Sequence, residues 1–165
     1  MPKIFPVQKC KCCGKYYFIE EEQYHVVDID AFVDTLNYQE LKEAMEELSC
    51  SEQSEWEMFM LNRSLIYAYN NEFIRNHNNT PSNEDRQLFM TAIDNLLGFP
   101  ENYYYPAFRG ELLRESGRFD EAVEVLSKLS DVDNIQYYVK PILEHAINHD
   151  PLPLLLIKDN NPLYL

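Results

Sequence analysis

Apolar residues recur at helical spacing through most of the chain from about Asp30 onward. Leu41, Met45 and Leu48 stand at positions i, i+4 and i+7, which lie on one face of a helix. A longer apolar run spans residues 54–76 and covers more than one stripe, a pattern typical of a central helix. The sequence therefore predicts a mainly α protein, a compact array of antiparallel helices.

Helix boundaries can be predicted from capping and breaking residues. Short polar side chains that can accept bonds from a first helical turn precede three of the predicted helices, at Asp34 or Asn37, at Ser54 and at Ser82. Glu57 stands three residues after Ser54, the spacing of a capping box. Gly98 and Pro100 end another predicted helix, and Pro141 is expected at or near the first turn of the last helix, or at a kink.

The two ends of the chain lack the helical period. Two β-prone runs, residues 16–19 and 24–29, flank an acidic turn, and we expect them to form a short N-terminal β-hairpin. The tail carries several prolines and is expected to pack as an extended strap. These changes divide the chain into a cysteine knuckle with a hairpin (residues 1–29), a helical array (30–150) and a C-terminal strap (151–165).

The chain is strongly acidic, with a formal net charge of -14. Such a surface repels phosphate, so we expect neither nucleic acid nor a membrane surface as a partner. The first sixteen residues are the exception, because they contain four lysines and no acid. These lysines either solubilise the N-terminus or form a small anion or RNA site. The sequence shows no signal peptide or membrane span, so we expect a cytoplasmic protein with reduced cysteines.

Residues 109–129, RGELLRESGRFDEAVEVLSKL, resemble one tetratricopeptide repeat. Gly110 lets two helices approach, Gly117 ends the first helix, and Ala122 is small where the helices cross. Leu129 replaces the usual small residue, and no proline closes the unit. The resemblance implies an array that binds a peptide or another protein. The alternative is that this hairpin is only a packing unit without a partner.

Residues beside this hairpin are candidates for a partner-binding surface. Three adjacent tyrosines cannot all face one core from a helix, so either one is exposed for binding or they bridge two core layers: Tyr103, Tyr104 and Tyr105. Three cations could meet an acidic ligand or a C-terminal carboxylate: Arg109, Arg114 and Arg118. The simpler use of these arginines is pairing within the chain, with Glu111, Glu115 or Glu121.

Residues 10–15, Cys-Lys-Cys-Cys-Gly-Lys, resemble one half of a zinc ribbon. The spacing lets the Cys10 and Cys13 thiolates point at one ion, and Gly14 permits the tight turn. The alternatives are a remnant knuckle held by packing and a reactive or redox-active thiol.

A structural zinc needs four ligands, and the chain has no second Cys-x-x-Cys. His145 and His149 stand at i and i+4 and are expected to share a helix face, so they could complete the site if the N-terminus packs against the last helix. Further candidate ligands are Cys12 and the pair of His25 with Cys50.

No catalytic motif stands out in the sequence. The four glycines are scattered, so neither a P-loop nor a dinucleotide fingerprint can form. The sequence between His145 and His149 lacks the glutamate of a metalloprotease helix. We therefore expect a non-catalytic protein–protein interaction module that zinc could stabilise. The alternatives are an acidic inhibitor or immunity-type protein that masks a basic partner, and a metal-dependent enzyme.

Overall fold

The computed structural model describes residues 7–18, 36–48, 52–75, 79–100, 106–132, 135–153, 156–158 and 161–163. These residues form six α-helices: α1 (Tyr38–Leu48), α2 (Glu55–Tyr69), α3 (Asn83–Gly98), α4 (Pro106–Glu115), α5 (Phe119–Ser127) and α6 (Gln136–Ile147). They also form four short strands: β1 (Val7–Lys9), β2 (Tyr16–Phe18), β3 (Leu156–Lys158) and β4 (Asn161–Leu163). The predicted mainly helical fold with an N-terminal β-hairpin is confirmed.

The chain divides into two compact units, residues 1–92 and 93–165, and the division falls inside α3. The predicted boundaries near residues 29 and 150 followed changes in composition, whereas these units follow packing. None of the described helices is long and apolar enough to cross a membrane.

In the first unit, β1 pairs antiparallel with β2, so that Val7 lies opposite Phe18 and Lys9 opposite Tyr16. The second strand falls where the sequence predicted one. Its observed partner precedes the cysteines, and residues 24–29, the predicted partner, lie outside the described residues. The cysteine-containing turn is therefore the connection of this hairpin.

Side-chain caps begin the helices of the first unit as predicted. Asn37 Oδ1 accepts a 3.0 Å bond from the Glu40 N–H at the start of α1. Ser54 and Glu57 form the predicted capping box of α2, in which each side chain accepts from the other residue's backbone N–H. Ser82 Oγ accepts a 3.1 Å bond from the Asp85 N–H at the start of α3. Each cap satisfies a donor that the helix geometry leaves unpaired.

An aromatic cluster forms part of the core of the first unit. The α2 helix continues into a π-helical segment, Asn70–Arg75, whose Phe73 ring lies 5.0 Å from the ring of Tyr38. The Tyr69 ring stacks on Phe89 of α3 at 4.3 Å. These contacts join α1, α2 and the first half of α3. Aromatic pairs of this kind stabilise a fold by more than the apolar area that they bury would give.

In the second unit, α4 and α5 form the predicted two-helix hairpin, and α6 packs against both. Gly117, with φ of 79°, ends α4, and the Arg118 N–H donates to the Leu113 carbonyl while the Gly117 N–H donates to the Arg114 carbonyl. This is a Schellman motif, which reverses the chain into α5. The core is buried and apolar: Ala107, Leu113, Ala122, Leu126, Val139, Ile142 and Ala146.

The last helix differs from prediction at its C-terminal end. It begins at Gln136, so Pro141 lies in its second turn, near the first turn as predicted. It ends at Ile147, and His149 follows in the left-handed region with φ of 54°. Beyond it, the segment predicted as a strap contains β3 and β4, which pair antiparallel.

Replacing Gly110 with alanine should destabilise the second unit. A Cβ at this position would lie 2.4 Å from Leu126 Cδ2 and 2.5 Å from Leu126 Cγ, and Leu126 is fully buried. Overpacking of this kind costs about 1–3 kcal/mol. We expect the urea midpoint of Gly110→Ala to fall accordingly.

The matched control is Gly98→Ala, because a Cβ at Gly98 meets nothing within 4 Å and the residue ends α3 without a left-handed φ. Alanine favours a helix over glycine, so this variant should keep or slightly raise the urea midpoint. Equal midpoints for the two variants would contradict the close approach of α4 and α5.

Candidate functional site

The knuckle, residues 10–15, is a tight turn closed by two main-chain bonds. The Cys10 N–H donates to the Lys15 carbonyl at 2.8 Å, and the Gly14 N–H donates to the Cys10 carbonyl at 2.9 Å. Gly14 has φ of 74°, a conformation that glycine adopts without the steric cost of a Cβ. The turn therefore depends on Gly14, as the sequence predicted.

The Cys10 thiol lies in a polarised environment. The pKa of Cys10 is lowered, first by the backbone N–H of Cys13 and then by the backbone N–H of Cys12, since both donate to the sulfur. Main-chain donors around a cysteine sulfur also orient and stabilise a metal-bound thiolate. Cys10 is half-buried and Cys13 is exposed. This half of the predicted zinc site has a donor set that fits the ion.

The hairpin that carries the knuckle is fixed to α1. The Tyr16 hydroxyl donates to Glu43 Oε2 at 2.8 Å, and Lys9 Nζ lies 3.6 Å from the same oxygen. The Tyr16 hydroxyl is also the main reason why the pKa of Glu43 is lowered. Lys9 lies over the Tyr16 ring at 4.9 Å. The role of Glu43 as an anchor is not evident from the sequence, because nothing in its spacing links α1 to a strand residue 27 positions earlier.

The two candidate histidine ligands do not share a helix face, which corrects that expectation. The α6 helix ends at Ile147, so His149 lies beyond it and stacks on Phe119 at 4.9 Å. His145 Nδ1 lies 2.8 Å from Asp150 Oδ2. Each imidazole therefore has its own partner.

The full ligand set for zinc stays a prediction. Cys10 and Cys13 belong to the first unit, whereas His145 and His149 belong to the second. His25 and Cys50 lie outside the described residues. Among the described residues, no three or more histidine, cysteine or acidic side chains are grouped as a metal site.

Arg114 is fully buried and bound within the second unit. Its Nε and one terminal nitrogen donate to the two carboxylate oxygens of Glu111 at 2.8 and 2.6 Å. Its other terminal nitrogen donates to the Asp150 carbonyl at the end of the α6 region. Burial lowers the pKa of Arg114, but hydrogen bonding to Glu111 and its charge outweigh this and raise the pKa overall. This guanidinium is therefore bonded within the second unit and is not exposed for contact with another molecule.

The other two candidate cations also have partners in the second unit. Arg118 pairs with Glu121 through bonds of 2.7 and 2.6 Å, with Asp94 at 4.0 Å. Arg109 donates to the Leu97 carbonyl at 3.0 Å. Tyr103, Tyr104 and Tyr105 lie outside the described residues, so their role on a binding surface stays a prediction. The predicted simpler use of the arginines, pairing within the chain, is what the structure shows for Arg114 and Arg118.

The internal pairing leaves the surface acidic. Among the described residues, the cations that contact a carboxylate include Lys9, Lys42, Arg114, Arg118 and Lys128. With a net charge of -14, many carboxylates remain without a counter-charge. On α5, Asp120, Glu121 and Glu124 are all exposed.

A cleft of about 380 Å³ lies beside the π-helical segment in the first unit, lined by Asn37, Tyr38, Gln39, Glu72, Phe73 and Asp85. Its wall combines aromatic rings with carboxylates. The Asp85 carboxylate is already hydrogen-bonded within the chain, because it accepts hydrogen bonds from the Ser82 hydroxyl and from the Tyr38 hydroxyl. This cleft is not evident from the sequence, since three separate helical segments contribute to it.

Comparison of the chain with family models, curated proteins and solved structures gives no match. The resemblances to a tetratricopeptide repeat and to a zinc ribbon therefore rest on the residues that carry them.

Removing the buried cation of Arg114 should lower the free energy of unfolding far more than removing an exposed arginine that also pairs with a glutamate three residues away. Arg114→Met leaves the Glu111 carboxylate buried without its partner, and breaking a buried pair in this way costs about 3–5 kcal/mol. We expect a large fall in the free energy of unfolding, measured by urea denaturation.

Arg118→Met is the matched control, because Arg118 also pairs with a glutamate three residues away but is 40% exposed. Its loss should be much smaller, since water screens an exposed pair. A double variant, Arg114→Met with Glu111→Leu, should recover part of the stability, because it removes the buried Glu111 charge and leaves only Glu115, 3.9 Å from Arg114 in the native protein and 6% exposed, without its cation. Similar losses for the two single variants would contradict the structural role of Arg114.

Proposed function

We propose that the protein is a non-catalytic interaction module that binds another protein or a peptide through its helices. The observation that carries this proposal is the closely packed α4–α5 hairpin, in which Gly110 lies against Leu126 and α6 completes the core. Such hairpins present fixed side-chain surfaces in repeat arrays. Two large apolar side chains of α6 are exposed and available for contact, Tyr137 at 42% and Ile147 at 60%.

In this proposal the knuckle has a structural role, with Cys10 and Cys13 as zinc ligands. Metal binding there would stabilise the N-terminal hairpin, whose two strands are only three residues long. Hairpins this short are marginal in water without additional support.

An acidic inhibitor or immunity-type protein that masks a basic partner is the second candidate, and the charge distribution favours it. The arginines that could meet an acidic ligand are used within the chain, whereas Asp120, Glu121 and Glu124 of α5 are exposed, although Glu121 bonds Arg118 and Glu124 bonds Lys128. A basic protein surface would therefore find complementary charge on this helix.

Reversing charge on α5 tests which partner chemistry is used. Asp120→Lys with Glu124→Lys should slow association at low salt by roughly tenfold or more if steering by opposite charge brings the partner to α5. The partner is first identified by cross-linking to the full chain and then purified. The association rate is measured by surface plasmon resonance over a range of salt concentrations.

Glu46→Lys with Glu47→Lys on α1 is the control, since both side chains are exposed and the change in net charge is the same. Slower binding by the α5 variant alone, with strong salt dependence, supports the acidic inhibitor. Salt-insensitive binding that is weakened by substitution of Tyr137 and Ile147 supports the general interaction module. Binding that is affected neither by the α5 substitutions nor by substitution of Tyr137 and Ile147 excludes both surfaces.

A further inference from the structure

The thiols of the knuckle lie at the exposed tip of the N-terminal hairpin. Every residue from position 11 to 15 is exposed, including Cys12 and Cys13, while Cys10 is half-buried. Below the turn, the strand residues Val7 and Tyr16 are buried, and Tyr16, which pairs with Lys9 directly beside the turn, is held by Glu43. The strands are thus fixed to α1, whereas the turn that carries the sulfurs is exposed.

The knuckle supplies half of a tetrahedral site. Cys10 and Cys13 offer two thiolates, and a closed structural zinc site needs four ligands. Within the described part of the chain, no third and fourth ligand are grouped with them. A second copy of the same knuckle supplies the missing pair of sulfurs, because it carries the same two thiolates in the same geometry.

We propose that Cys10 and Cys13 from two copies of this chain together hold one zinc ion, so that metal binding joins the copies into a symmetric dimer. A contact of this kind is isologous, since each copy contributes the same residues. The inference rests on the proposed zinc-binding role of the knuckle. It does not rest on the partner-binding surface of α4, α5 and α6.

Charge favours the knuckle as the meeting point of two acidic chains. Each copy has a net charge of -14, so most approaches bring carboxylates together. The first sixteen residues contain no acid, and Lys11 and Lys15 are exposed on the tip. Four thiolates around a doubly charged cation leave a net negative charge. The lysines of both copies lie beside it and offset it.

The test is a zinc titration of the full chain, which is purified in a buffer whose reductant does not bind metal. Mass is followed by native mass spectrometry and by light scattering, and zinc is counted by elemental analysis. We expect the molecular mass to double as zinc is added, with one zinc for every two chains. Because two chains must meet, the apparent zinc affinity should rise with protein concentration. Cobalt in place of zinc should give the absorption spectrum of a tetrahedral four-thiolate site.

Two cysteine variants make the test specific. Cys13→Ser should lose both zinc and the dimer. Cys12→Ser should keep both, since Cys12 is exposed on the same turn but is not a ligand in this proposal. Circular dichroism of each variant shows whether the helices are retained.

A monomer with one zinc per chain overturns the shared site and leaves the structural zinc in place, with ligands from the same chain. A cobalt spectrum typical of mixed sulfur and nitrogen ligands would likewise overturn the shared site and indicate that other ligands of the same chain complete it. A chain that binds no zinc in any state overturns both the shared site and the zinc-binding role. A dimer that forms without metal, or that Cys13→Ser retains, also overturns the inference.

Discussion

The guanidinium of Arg114 is the charge around which the second unit is organised. Moving an ion of this kind out of water costs several kcal/mol even after relaxation, so the fold must supply a matching set of acceptors. Glu111 supplies two oxygens from the same helix, and the Asp150 carbonyl supplies a third from beyond α6. The second unit cannot rearrange these elements without leaving a buried ion unpaired. Apolar packing of α4, α5 and α6 alone would place no such demand on the chain after α6.

Charge is used differently inside the molecule and on its surface. Inside, the Arg114 and Glu111 pair is hidden from solvent, and its geometry is bidentate. Outside, paired cations such as Lys128 contact carboxylates that remain largely exposed, as Glu124 does. Exposed pairs of this kind contribute little stability and leave a strongly negative field. The exception is the N-terminal hairpin, whose lysines surround the cysteines.

The sequence predicted features that depend on near neighbours in the chain. Ser54 and Glu57 were recognisable as a capping box because the cap and its partner lie within one helical turn. Gly117 was recognisable as a helix end because glycine readily adopts the left-handed conformation. Gly110 was expected to allow close packing, and the contact with Leu126 agrees.

Features that depend on distant contacts were not recoverable from spacing. Arg114 looks like any surface arginine in sequence, yet it is fully buried and bonds the Asp150 carbonyl, 36 residues later. The strand that pairs with β2 contains only one apolar residue, Val7, so its pattern is too short to stand out. The end of α6 was missed because His149, and not glycine, adopts the left-handed conformation there.

The hydrogen bond from Arg114 to the Asp150 carbonyl has a consequence for how this protein can diverge. The acceptor is a main-chain atom, so this bond itself does not require aspartate at position 150. It does require the correct number of residues between the end of α6 at Ile147 and that carbonyl. Two main-chain bonds also fix this spacing, since the Asp150 N–H donates to the His145 carbonyl and the His149 N–H donates to the Ala146 carbonyl. We therefore expect residues 148–150 to tolerate substitution far better than insertion or deletion. In related sequences, the length of this segment should be kept more strictly than the identity of its residues.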